Sequence, residues 1–316
     1  MNNLMGTRDG FGEALLELGE KDKRVVVLTA DLAESTKVAD FAKKFPERFV
    51  ECGVAEQNMA GIAAGLAAAG KIPFISSYAV FSPGRNWDQI RVSICYSNLP
   101  VKIIGCHAGL SVGPDGATHQ ALEDIAMTRV LPNLTVVVPC DAIEAKKATI
   151  ESAQIAGPVY VRLTREKTAI VTQESSRFEI GKLEVLKTYG LDVAIIACGP
   201  LVYQSLLAAK ELDDEGVKVV VINNHTIKPI DKPNLLKIAQ DCGAVVTVEE
   251  HQISGGMGSA VCELLSANCP VPMEFVGMSD SFGESGGPEE LLEKYGMSVK
   301  VIKEKVKSLM LRKRHQ

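Results

Sequence analysis

Two histidines and an aspartate share one short stretch, His107-Ala-Gly-Leu-Ser-Val-Gly-Pro-Asp115-Gly-Ala-Thr118-His119-Gln120. Imidazole titrates near neutral pH, so such a pair beside a carboxylate is suited to proton transfer. Glycines at 109, 113 and 116 would let this backbone approach a ligand closely. Either histidine alone reads first as part of a structural loop. The two histidines, the aspartate and the glycines together favour a site.

Two other stretches carry groups of interest. Gly53-Val-Ala-Glu56-Gln-Asn-Met59 sets a carboxylate at the turn into a helix of small residues, where a plain first-turn acid favoured by the helix dipole would look the same. Ser76-Ser-Tyr78-Ala-Val-Phe81-Ser-Pro-Gly-Arg85-Asn-Trp87 offers two aromatics three residues apart, for core packing or for stacking a flat heterocycle.

The elements that must hold these groups alternate. Val101 to Cys106 is short and β-branched, the pattern of a buried parallel strand, which puts the histidine stretch in the crevice beyond its carboxyl end. Similar runs at 24–30, 72–77, 134–139 and 158–163, separated by helical patterns, predict a mostly parallel sheet covered by helices. The sequence loosens between about 164 and 190, then resumes with strands at 193–197, 217–222, 244–248 and 271–276 and helices near 201–215, 232–241, 256–266 and 298–312. Two doubly wound α/β domains are therefore expected, residues 1–170 and 190–316, with 171–189 as linker.

Composition narrows the partners. With 46% hydrophobic and 23% charged residues and a net charge of -5, the chain has no electrostatic footprint for nucleic acid. No stretch is apolar for long enough to suggest a signal peptide or a membrane span. The eight cysteines are scattered without a C-x-x-C pair, as buried thiols are in a reducing compartment, so a cytoplasmic protein is expected.

In order and spacing, Glu56, Tyr78, Phe81, His107, Asp115 and His119 resemble the pyrimidine-binding domain of transketolases. Residues from about 190 resemble that family's carboxy-terminal domain, notably Thr226-Ile-Lys-Pro-Ile-Asp231 and Val248-Glu-Glu-His-Gln-Ile-Ser-Gly-Gly-Met-Gly258. Family members also carry a Gly-Asp-Gly element that holds magnesium and the diphosphate of thiamine diphosphate, and this chain has none. The resemblance is thus to the carboxy-terminal subunit of a split transketolase. It implies an amino-terminal partner subunit that binds the diphosphate with Mg²⁺ or Ca²⁺, no metal on this chain, and an α2β2 assembly.

The resemblance also assigns roles. Glu56 would bond a ring nitrogen of the aminopyrimidine and favour its imino form, which demands a carboxyl able to hand over a proton. Phe81 would stack on the pyrimidine, Tyr78 would line its pocket and Asp31 would reach the cofactor from its loop. His107 and His119 would shuttle protons at the donor sugar's oxygens, and Asp115 would read the adjacent hydroxyl. Arg8, Ser35 and Arg165 match positions that hold the sugar phosphate. The stretch around Arg85 and Trp87 departs from the family pattern, which leaves a third pocket aromatic open.

Ala55-Glu56-Gln57-Asn58 also resembles deoxyxylulose-phosphate synthases, although these carry an acidic residue where His107 stands. The β subunits of 2-oxo acid dehydrogenases share the architecture without the full histidine pattern. A non-catalytic sugar-phosphate-binding or regulatory protein is the alternative of a different class. The substrates implied are sugar phosphates, whether in the pentose phosphate pathway or a more specialised route.

Overall fold

A computed structural model describes residues 4–313. Its strands, in chain order, are β1 (Leu4–Gly6), β2 (Val25–Thr29), β3 (Phe49–Glu51), β4 (Ile72–Tyr78), β5 (Lys102–Cys106), β6 (Thr135–Val137), β7 (Val159–Arg162), β8 (Lys167–Ala169), β9 (Glu184–Thr188), β10 (Val193–Ala197), β11 (Val219–Asn223), β12 (Thr226–Lys228), β13 (Val245–Gln252) and β14 (Met273–Met278). They form a seven-stranded sheet, β12-β6-β7-β5-β4-β2-β3, a five-stranded sheet, β14-β13-β10-β11-β9, and the small pair β1-β8.

The central strands are parallel and buried along their whole length, as their Val- and Ile-rich sequences require when helices cover both faces. Two α/β layers of this kind are the expected fold. The helices Glu56–Ala68, Leu201–Asp214, Lys232–Cys242, Met257–Asn268 and Val299–Lys313 fall where the periodicity puts them. No helix of the described residues is long and apolar enough to cross a membrane. All eight cysteines are free thiols.

Several elements were not legible. β1, β3, β8 and β12 have three residues each, too few for a period. The stretch read as a linker ends in β9, which pairs antiparallel with β11. β12, part of the Thr226–Asp231 motif, crosses back to pair antiparallel with β6 and covers the edge of the first sheet. One apolar cluster joins the halves, with Ile94, Val136 and Tyr160 packing in the same core as Ala194, Ile222 and Met257.

Candidate active site

Parallel strands deliver their carboxyl ends to one edge, and the singled-out residues collect there. Tyr78 is in register with Cys106 across β4 and β5. His107 follows Cys106 in a left-handed conformation, φ 55°. Its ring lies on Tyr78, with centroids 3.9 Å apart and planes 27° from parallel. Phe81 stacks at 5.9 Å from Tyr78, and His119 sets its edge against Tyr78 at 6.0 Å and Phe81 at 5.6 Å. Four rings from two stretches therefore form one cluster.

Arg8, in the first turn of the helix Thr7–Lys21, closes one side of it. Its Nη1 donates to the Ser35 carbonyl at 2.8 Å and lies 3.4 Å from His107 Nε2. Arginine can only donate, so Nε2 accepts and the proton of the neutral ring sits on Nδ1. That Nδ1 is buried with no hydrogen-bond partner among the described residues. Burial first, then the charges of Arg8 and Arg165 and the neighbouring His119, push the His107 pKa down to about 3. At neutral pH His107 is thus an uncharged ring with one N–H to offer.

This has a consequence for stability. His225 and His251 are also held down to about 4 by burial, opposed by Asp231 at the first and, with Arg162 adding to burial, by Asp124 at the second. Below about pH 6.5 an unfolded chain protonates rings that the folded chain keeps neutral, so folding stability falls as pH drops through that value. His107→Asn removes one such proton. Chemical denaturation of the chain between about pH 5.5 and 4.5 should show a pH slope shallower by about 1.4 kcal/mol per pH unit than that of the wild type. An unchanged slope would mean His107 is not the refused proton.

On another side, Arg165 Nη1 donates to the Val112 carbonyl at 2.9 Å and lies 3.6 Å from Asp115. Glu56 opens the helix Glu56–Ala68, buried, with the Ser77 hydroxyl 3.5 Å from its Oε1. Arg85 Nη1 lies 3.3 and 3.2 Å from the two Glu56 oxygens, and its guanidinium centre sits 4.1 Å from the Phe81 ring centroid. Glu56 and Arg85, with Val54, Ala55, Gln57 and Asn58, line an open concavity of about 630 Å³. A flat, nitrogen-bearing group thus fits between the Phe81 face and the Glu56 carboxylate, and a guanidinium already does.

These features together match known proteins. Residues 4–170 match the family described as transketolase, pyrimidine binding domain, and residues 181–302 match transketolase, C-terminal domain. The chain belongs to the transketolase family. It is 46% identical to a protein of Methanocaldococcus jannaschii described as a transketolase C-terminal section, over 95% of each chain. It is 42% identical to a 6-deoxy-6-sulfo-D-fructose transketolase subunit of Clostridium sp. strain MSTE9, over 93% of this chain and 91% of that one. A solved structure described as the inactive beta4 tetramer of a split-gene transketolase superposes with a TM-score of 0.92 at 48% identity, covering 98% of this chain and all 100% of the other.

Of the residues singled out by resemblance to transketolases, the fold brings Glu56, Tyr78, Phe81, His107, His119 and Arg8 into one contact network. Arg165 and Asp115 form a pair on the same loop system. Ser35 meets Arg8 through its carbonyl rather than its hydroxyl. Asp31 lies exposed at the end of β2, φ 60°, its amide donating to Glu51 Oε1 at 2.8 Å, and no hydrogen bond or ion pair among the described residues ties its carboxylate to the ring cluster. Trp87 donates its indole N–H to the Met127 carbonyl at 2.8 Å, so Arg85 is the member of that stretch that reaches the pocket.

Other working residues carried no sequence signal. Glu51 Oε1 also accepts from the Gly53 amide at 2.9 Å, so one carboxylate ties the Asp31 loop to the turn entering Glu56. Asp124 and Arg162, both buried, pair at 2.8 Å, and Tyr160 donates to the same Asp124 oxygen at 2.7 Å. Burial works against the ionised Asp124, but Arg162, His251 and Tyr160 together outweigh it and hold the carboxyl below its ordinary range. Arg162 also donates to the carbonyls of Ala121 and Glu250, joining the end of the histidine loop to β13.

The loop glycines serve packing between the two halves. Gly109 has φ 93°, and a Cβ there would lie 2.6 Å from the Glu250 carboxyl. The equivalent atom on Gly116 would meet the Ser285 hydroxyl at 2.5 Å. Glycine lets the second domain clamp the loop that carries both histidines.

Proposed function

We propose that this chain is the carboxy-terminal-half subunit of a two-chain transketolase, moving a two-carbon ketol unit from a ketose phosphate to an aldose phosphate. The observation that carries this reading is the paired Glu56 carboxylate and Phe81 face, which suit the edge and the face of one aminopyrimidine. Thiamine diphosphate, when bound, supplies the carbon nucleophile that cleaves the donor ketose and carries its two-carbon unit. Glu56, its side chain buried at the wall of the concavity, holds a proton at the pyrimidine ring nitrogen. Phe81 stacks on the ring, Tyr78 lines the pocket and supports His107, and Asp31 reaches the cofactor from the end of β2.

The free Nδ1–H of His107 donates to an oxygen of the donor sugar, and His119 moves protons at the neighbouring oxygen. Asp115 accepts from the adjacent hydroxyl and so favours one configuration. Arg8, Ser35 and Arg165 hold the sugar phosphate, whose charge would offset the two guanidinium groups that face His107. Residues 1–170 form the cofactor-binding unit and 190–316 the second domain. The remaining ligands, including Mg²⁺ or Ca²⁺ on the diphosphate, come from an amino-terminal-half subunit, in an α2β2 assembly within the cytoplasm.

The helix Glu56–Ala68 supports that partner's docking. Its inner side packs Met59, Ala60, Ala63 and Ala67 into the core, while Gly61 and Gly65 are exposed, and a Cβ on either would meet nothing within 4 Å. Such a face admits close approach of another backbone, next to the exposed Val54, Val92 and Tyr96.

The test mixes the purified chain with a subunit bearing the Gly-Asp-Gly element and assays thiamine-dependent ketol transfer between sugar phosphates. Transfer by the mixture and by neither chain alone is the expected result. Sugar-phosphate binding without transfer would favour a binding protein instead. In the same assay Gly65→Trp should weaken subunit association by at least about tenfold in sedimentation, while its thermal unfolding stays that of the wild type. Unimpaired association would place the partner elsewhere.

A further inference from the structure

Arg85 lines the pocket with a side chain that lies outside the hydrophobic core. Its neighbours are fixed: Asn86 donates to the Glu56 carbonyl at 3.3 Å and to the Ser82 hydroxyl at 3.1 Å, and the Arg85 amide donates to the Phe81 carbonyl at 2.8 Å. The side chain itself is 49% exposed, against 2% for its partner Glu56. A half-exposed cation is thus tethered at a fixed point beside a buried carboxylate.

We infer that the Arg85 guanidinium is a built-in stand-in for the aminopyrimidine, filling the Glu56–Phe81 slot in the free chain and leaving it when cofactor enters. This rests on the proposed role of Glu56. The chemistry of the two groups is alike: each is planar, offers a face to Phe81 and presents nitrogen to a carboxylate. Both cannot occupy the slot, because Nη1 takes both Glu56 oxygens and the guanidinium covers the ring that the pyrimidine would stack on.

The stand-in has a physical reason. A buried carboxylate left unpaired is costly, and the cofactor site of a separate subunit must exist before its partner and ligand arrive. Arg85 satisfies Glu56 during that time, and its exposed stem lets it swing out without disturbing the core. The same contact opposes loading, so the cofactor's affinity is set partly by the contacts Arg85 gives up.

The experiment measures thiamine diphosphate affinity by titration calorimetry in the reconstituted two-chain complex with its divalent cation. Wild type, Arg85→Met and Glu56→Gln are compared in about 0.5 M salt, which screens long-range attraction between Arg85 and the diphosphate. Methionine keeps the apolar stem and removes the competitor. Its dissociation constant should be lower than that of the wild type by about tenfold, the worth of an exposed ion pair plus a cation–π contact. An unchanged or higher constant in Arg85→Met overturns the inference. If that happens while Glu56→Gln still weakens binding and turnover, only the stand-in falls. If Glu56→Gln leaves both untouched, the underlying assignment of Glu56 falls with it.

Discussion

Glu56→Gln should lower ketol transfer by the reconstituted complex by at least about 100-fold, with assembly and folding retained. Glutamine has nearly the shape of glutamate and can still bond the Ser77 hydroxyl, so the pocket keeps its walls. It has no carboxyl proton to exchange with a ring nitrogen at neutral pH. The loss should fall on kcat rather than on the KM for sugar phosphate, because Glu56 lies at the Phe81 end of the site and Arg8, His107 and Asp115 at the other. Steady-state kinetics with both sugar substrates varied decides the matter. Turnover within a few-fold of the wild type would remove Glu56 from the mechanism.

Asp124→Ala should destabilise the chain by about 3–5 kcal/mol, the cost of stranding a buried cation without its partner. Arg162 would remain, buried, its guanidinium left with the hydrogen bonds to the carbonyls of Ala121 and Glu250 among the described residues. Tyr160 would lose its acceptor as well. The damage should spread to the site, since Ala121 ends the histidine loop and Glu250 accepts from the Ser111 amide within it. Denaturant unfolding measures the first effect. The second appears as a raised KM for sugar phosphate in whatever fraction stays folded. A loss under about 1 kcal/mol would show that this pair is less desolvated than its burial indicates.

The histidine loop shows how far residue patterns reach. The run Val101–Cys106 announced a buried strand, and the polar cluster after it announced a crevice, because parallel sheets bury both faces and expose only their ends. The β-branched runs and apolar helices of the second half were equally clear. The meaning of the glycines was not. Gly109 and Gly116 look like ligand-approach positions until Glu250 and Ser285, far away in sequence, are seen against them. The carboxy-terminal signature has a similar explanation. Glu249, buried and raised to about 7 by that burial, caps the amides of Met257 and Gly258, so the glycines near 256 make room for a carboxylate that belongs to the architecture.

The sequence by itself determined the α/β class, the order of the longer strands and helices, and the group of side chains at the strand ends, because periodicity and β-branching are local properties of the chain. Tertiary structure alone decided which partners those side chains have. Arg85 on Glu56, Arg8 on His107 and Arg162 between Asp124 and the Glu250 carbonyl all join residues at least 29 apart in the chain. Burial and charge act through space, so the state of His107 and the tenant of the Glu56 slot are set by neighbours that no local pattern names.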